Sequence, residues 1–285
     1  GSPIAGVSAD SVISVEGQSG TLVYVDGTKG WMIVNASTDA DLPAPLYVTA
    51  TGGTITTSGD FKVHTFTSGG TFTVSKLGSG PTGDLANFLI VAGGGNSGTN
   101  SEGSGGGAGG YREFSCQPIS ATSYPISVGG PGGNSSGFGY TSNRGGAGSN
   151  PVGNGGTGGS GGGATFQMGG GAAGNSPPVS PPQGNPGGGG RYCGGGNARG
   201  GGGGGANQAG QTAPSSEGGD GGQGKVPSFD GSPSSYYAGG GCGNSDRAGK
   251  PPGTNGQGQG TNTGGGGGAG ASGQPGIVIV SYRYQ

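Results

Sequence analysis

Between about residue 92 and residue 276 the chain is dominated by glycine runs, and these limit what it can fold into more than any other feature. They include Gly105–Gly107, Gly161–Gly163, Gly187–Gly190, the run Gly200, Gly201, Gly202, Gly203, Gly204 and Gly205, and the run Gly264, Gly265, Gly266, Gly267 and Gly268. A helix loses about 1 kcal/mol for each Gly in place of Ala, and a strand of glycines has no side chains to pack. The runs are therefore either disordered or committed to a backbone geometry that needs glycine.

Two observations argue against disorder. With 83 Gly and 19 Pro among 285 residues the composition alone would suggest low complexity. Yet charged side chains make up only 8%, whereas disordered chains are usually rich in charge. The apolar residues are also grouped at the two ends of the glycine-rich stretch instead of being scattered. Collagen is excluded because the glycines do not recur at every third position.

Glycine adopts polyproline II geometry as readily as proline, with about three residues per turn and no internal hydrogen bonds. Buried rods of this kind must satisfy their N–H and C=O groups on one another, and without Cβ atoms they can approach closely enough to do so. Each ordered residue costs about 1–2 kcal/mol of backbone entropy, so such a bundle needs a hydrophobic anchor. The expected fold is mainly β and irregular: a bundle or sandwich of polyglycine II rods on a small β-sheet base, essentially without α-helix.

The base is readable in order. Residues 1–50 form a small β module for attachment or oligomerisation, with candidate strands at Val12–Val15, Leu22–Val25 and Trp31–Val34 and a turn at Asp26-Gly27. Its apolar area is too small for independent stability, so it is expected to pack on its neighbour or to trimerise with copies of itself, with Trp31 as an anchor in that interface or core. A connector runs to about residue 59. The glycine-rich domain then spans 60–285, with base strands near 61–74, 87–91, 111–128 and 276–284. Phe61–Thr67 and Thr71–Val74 flank Ser68-Gly69-Gly70 as a hairpin, with His64 and Phe66 on one face and Val63 and Thr65 on the other. Residues 111–114 and 123–128 read as one continued extended element, and the closing strand is expected to return beside the early ones.

Segments rich in Pro, Ser, Asn and Gln separate the runs and read as turns and surface loops. Pro177-Pro178, Phe229 and Tyr236-Tyr237 stand out in them. Exposed aromatics in Ser/Gly/Asn loops on a rigid scaffold suit recognition; the alternative is that the rings cap the sides of the lattice.

Catalytic and metal chemistry find little support. G-x-G-x-x-G recurs at chance frequency for this glycine content and opens no helix. Gly219–Lys225 matches a phosphate loop only as far as Gly224-Lys225, since Val226 stands where a magnesium-binding hydroxyl belongs. The single His64 precludes a Ser/His/acid array beyond itself, and Asp220, Asp230 and Asp246 sit in turn contexts. Cys116, Cys193 and Cys242 include no C-x-x-C pair and lie far from His64, so no metal site is expected. They read as small buried side chains, a Cys193–Cys242 disulfide being the alternative. The formal net charge of −2 gives no reason to expect nucleic acid. No apolar run reaches the roughly 18 residues of a membrane span, so membrane insertion is not expected either. The expectation is a non-enzymatic chain without a cofactor.

The ordered markers FKVHTFTSGGTFTV (61–74), FLIVAGGG (88–95), GGGAGGYRE (105–113), YAGGG (237–241) and GIVIVSYRY (276–284) resemble the glycine-rich domain of bacteriophage tail-fibre and receptor-binding proteins. TLVYVDGTKGW (21–31) looks like a short module that precedes such domains. The resemblance implies packed polyglycine II layers whose distal loops contact a bacterial outer-membrane protein or surface glycan. It also implies a place in the distal tail or tail fibre of a virion, with other fibre proteins or copies of the chain as neighbours. Carried over, the receptor-binding residues would be Pro177, Pro178, Phe229, Tyr236 and Tyr237. The alternative is a structural, self-associating module of a fibre, virion decoration or surface filament with no ligand of its own.

Overall fold

A computed structural model describes residues 20–36, 47–79, 83–99, 103–149, 153–166, 170–194, 197–244 and 255–284. Among these the fold is all-β and largely irregular, with several antiparallel sheets and no α-helix. Two sheets form the base. One has five strands in the order β4 (Thr54–Ser58), β5 (Phe61–Phe66), β14 (Ile277–Arg283), β7 (Leu85–Val91) and β8 (Tyr111–Pro118). The other has three, in the order β3 (Thr49–Thr51), β6 (Gly70–Lys76) and β9 (Ser123–Ile126), followed by a hairpin of β10 (Ser135–Gly137) and β11 (Tyr140–Ser142).

The closing strand β14 does return beside the early ones, between β5 and β7. Its Ile277 and Ile279 join Val63, Leu89 and Val91 on one face, while Val278, Val280 and Tyr282 join Phe66, Phe88 and Ile90 on the other. Successive side chains of a strand point to opposite faces, so a sheet covered on both sides needs an unbroken apolar run. That is what β7 and β14 supply. One face packs against the three-stranded sheet through Phe72, Val74 and Ile126; the other packs against Ala108, Phe229, Tyr237 and Ala238 of the glycine-rich stretch.

Three expectations are corrected. β5 and β6 do not pair as a hairpin: Ser68-Gly69 carries the chain from one sheet to the other. Phe66 and Phe72 both fill the space between the sheets, and burying both rings there outweighs pairing the two strands with each other. Residues 111–118 and 123–126 are likewise separate strands of different sheets. The end of the connector forms β3 and β4, split by Gly52 and Gly53, whose φ angles of 112° and 63° turn the chain between the sheets.

In the N-terminal module β1 (Gly20–Asp26) pairs with β2 (Gly30–Ala36), and Asp26 Oδ1 accepts from the Thr28 and Lys29 N–H groups to close the turn. Trp31 is 42% exposed and packs edge-on against Tyr24. The expected strand at Val12–Val15 lies outside the described residues.

The glycine runs are satisfied by one another. The N–H groups of Gly201 and Gly204 donate to Ala164 and Gly161, those of Gly202 and Gly205 to Gln211 and Gln208, and those of Gly200 and Gly203 to Asn244 and Gly241, at 2.8–3.0 Å. Their carbonyls accept in the same rhythm, Gly201 and Gly204 from Gly105 and Ala108, Gly202 and Gly205 from Gly188 and Asn185, and Gly200 and Gly203 from Gly219 and Gly222. Residues three apart thus meet the same neighbour. The run Gly264–Gly268 joins the network through Gly264, Gly266 and Gly267, which donate to Pro275, Gly239 and Gly95. Close approach requires the missing Cβ: one placed on Gly203 would collide with the Gly106 carbonyl.

Candidate recognition site

The edge strand β8 organises the most built part of the surface. Its Tyr111 N–H donates to the Gln183 carbonyl at 2.8 Å, so the Pro-rich loop 175–183 pairs with the start of the open edge. Alternation sends Arg112 to one face of the strand and Tyr111, Glu113 and Ser115 to the other.

Two buried polar side chains clamp the loop. Arg112, 5% exposed, lies over the rings of Phe114 and Tyr140 and donates to the Thr141 carbonyl at 3.1 Å and the Ser180 carbonyl at 2.7 Å. Gln183, 1% exposed, donates from Nε2 to the Pro177 carbonyl at 3.1 Å and accepts from the Asn143 N–H at 2.8 Å. Inside the loop, Asn175 Oδ1 accepts from the Val179 and Gln183 N–H groups. The backbone of Asn175 and Ser176 donates to Gly159 and Gly158, tying the loop to the glycine network. The Ser176-Pro177 and Ser180-Pro181 peptide bonds are cis.

A cleft lies on each side of this loop. The first, about 420 Å³, is polar and lined by Asn134, Asn143, Arg144, Thr157, Ser176 and Pro177. The second, about 260 Å³, is lined by Tyr111, Glu113, Pro181, Pro182, Lys225 and Ser228. Its floor is a charged cluster: Lys225 Nζ is 3.1 Å from Glu113 Oε2 and lies over the Tyr111 ring, Tyr111 donates to Glu113 Oε2 at 2.9 Å, and both Ser228 N–H and O–H donate to Glu113 Oε1. Burial pushes the Glu113 carboxyl up, but the Ser228 donors, Tyr111 and Lys225 outweigh it and hold it below its usual range. Burial first, and then the Glu113 charge, pushes the Tyr111 hydroxyl up.

The residues singled out in the sequence divide sharply. Pro177 lines the first cleft and Pro178 is exposed beside it. Tyr236 is exposed at 44%. Phe229 and Tyr237 are buried against the central sheet, which fits the alternative that the rings cap the lattice and not the reading of them as exposed recognition aromatics; an apolar ring in the cluster of Val63 and Ile279 gains more by leaving water. Arg112, Glu113, Arg144 and Gln183 were not singled out. Arg112-Glu113 stand at the end of a marker motif, but Gln183 is one amide in a Pro/Gln-rich loop and carries no signal of burial.

The three cysteines are free thiols. Among the described residues no group of three or more His, Cys, Asp or Glu side chains is placed to hold a metal ion, and no helix is long and apolar enough to cross a membrane.

A family model described as a glycine-rich domain matches residues 67–283, most of the chain. The chain belongs to the glycine-rich domain family. The matched region of this glycine-rich domain contains β6, β7, β8, β9 and β14, the glycine network and both clefts. Comparison with curated proteins and with solved structures returned no match.

Proposed function

We propose that this glycine-rich domain is a non-enzymatic adhesin of a bacteriophage tail fibre or tail tip, displaying loop 175–183 and its two clefts to a bacterial surface receptor. Its glycine segments are read as polyglycine II rods, a reading supported by the three-residue rhythm in which Gly200–Gly205 donate and accept. The observation that carries recognition is the clamp by Arg112 and Gln183. Two buried polar side chains hold an exposed proline loop in one shape, and preorganisation lowers the entropy lost on binding. The receptor is an outer-membrane protein or surface glycan, met at the virion's distal tail; no cofactor, nucleic acid or membrane insertion is involved.

Binding of the fluorescently labelled full chain to a panel of bacterial strains tests this. Saturable binding to some strains, lost when Arg144 and Pro177 are both replaced by Ala, is the expected result. Uniform absence of binding across hosts permissive for the parent particle would overturn it.

A second reading, a self-associating structural module, is favoured by the β1–β2 hairpin. Leu22, Val23, Tyr24, Val25 and Trp31 are all exposed there, and large exposed apolar surface marks an interaction site. Sedimentation of the full chain and of Trp31→Ser separates the readings: assembly that fails in the variant, without cell binding, supports the second.

A further inference from the structure

The hairpin β12 (Arg191–Gly194) and β13 (Asn197–Arg199) holds an arrangement that neither the clefts nor the glycine network uses. Arg199 is 1% exposed, and among the described residues its Nε and Nη2 have no hydrogen-bond partner. Its Nη1 lies 2.6 Å from Cys193 Sγ. Arginine stays charged in proteins, and a buried cation without an anion is costly. Cys193 is half-buried, so a small solute can reach it, whereas Cys242 is buried. The same sulfur lies 3.9 Å from the Arg191 carbonyl.

We propose that Cys193 and Arg199 form a peroxide-reactive thiol site. Sγ is the nucleophile and hydrogen peroxide or a small hydroperoxide is the oxidant. A sulfur lone pair attacks one peroxide oxygen, an S–O bond forms and the O–O bond breaks. The departing oxygen leaves with the electron pair and takes the thiol proton, so R–SH and H2O2 give R–SOH and H2O. Sulfur is oxidised and the peroxide reduced. Arg199 Nη1, in contact with Sγ, stabilises the negative charge that develops as the S–O bond forms and the O–O bond breaks.

The test uses the native full chain, treated at neutral pH with one equivalent of hydrogen peroxide in the presence of dimedone, with the adduct located by peptide mass spectrometry. Cys116 is the internal control, because it is the more exposed thiol and accessibility alone would favour it. The expected result is at least about tenfold more adduct on Cys193 than on Cys116. Equal labelling, or labelling mainly at Cys116, overturns the proposal without any variant. Arg199→Met should remove the preference and Arg199→Lys should retain part of it. A folded Arg199→Met protein that still labels Cys193 selectively would assign the reactivity to something other than the guanidinium.

Discussion

His64 Nε2 and the Tyr282 hydroxyl lie 3.1 Å apart, joining residues 218 positions apart in the chain. His64 Nδ1 is 2.7 Å from the Gly52 carbonyl, which can only accept; Nδ1 therefore carries the proton and Tyr282 donates to Nε2. The imidazole is fully buried, edge-on to Phe72, so a single ring ties the Gly52 crossover and the closing strand to the space between the sheets. A catalytic role finds no support in this setting: both nitrogens are engaged and solvent is excluded.

Burial holds the His64 pKa below its ordinary 6.5; the Gly52 bond opposes this, and the Lys62 charge adds to it. The unfolded chain thus takes up a proton on this residue at a higher pH than the folded chain does. The contribution is fully present above the unfolded value and is lost as pH falls toward the depressed folded value. Urea unfolding between pH 7.5 and 5 should show a falling midpoint below about pH 6.5, and His64→Phe should flatten that part of the curve. A midpoint independent of pH in the unsubstituted chain would show that the imidazole is not held neutral.

The glycine network makes a steric prediction. A Cβ on Gly203 collides with the Gly106 backbone, which cannot swing aside as a side chain would, whereas a Cβ on Gly130 meets nothing within 4 Å. Gly203→Ala should cost about 3 kcal/mol or more, or prevent folding, because overpacking here also breaks shared hydrogen bonds. Gly130→Ala should change stability by about 1 kcal/mol at most, with its loss of unfolded-state entropy acting in its favour. Equal urea midpoints for the two variants would mean the close approach does not hold the fold together.

Local pattern revealed the strands, and long-range partnership stayed hidden. The unbroken apolar runs of β7 and β14 announced a sheet buried on both faces, and the face assignment of His64, Phe66 and Val63 followed from alternation alone. What alternation cannot say is which strand a strand pairs with. Ser68-Gly69-Gly70 has hairpin chemistry, but Phe66 and Phe72 are both needed between the sheets, and that demand appears only once the sheets exist. The same holds for the site. Pro177 and Pro178 were visible because proline marks exposed loops, whereas Phe229 and Tyr237 share a loop composition with Tyr236 and differ from it only in what lies beneath them. Arg112 and Gln183 were invisible as a clamp because their partners are backbone carbonyls, which every sequence supplies.

That burial difference is measurable. Phe229→Ala removes a ring buried in the cluster that holds Val63, Leu89 and Ile279 and should cost about 3–5 kcal/mol, read as a lower urea midpoint. Tyr236→Ala removes an exposed ring and should stay within about 0.5 kcal/mol of the parent chain. Any loss of receptor binding in Phe229→Ala therefore has to be corrected for unfolded protein, while a loss in Tyr236→Ala reports on contact.

Holding a proline loop through side chains gives it a stability separable from that of the core. Gln183→Leu removes the donor to the Pro177 carbonyl and the acceptor for the Asn143 N–H, leaving backbone groups of a half-buried site unpaired at about 1–3 kcal/mol. The penalty falls on the loop because the Asn175 and Ser176 N–H groups still bond to Gly159 and Gly158 at its base. Hydrogen exchange should accelerate at the Val179 amide, which now relies on Asn175 Oδ1 in a looser loop, while amides of β7 and β14 keep their protection. If exchange rises in β14 as much as at Val179, the loop and core unfold as one unit and the clamp has no local role. If it rises at Val179 alone and binding to receptor-bearing cells weakens in parallel, rigidity of the loop is what the buried amide contributes to recognition.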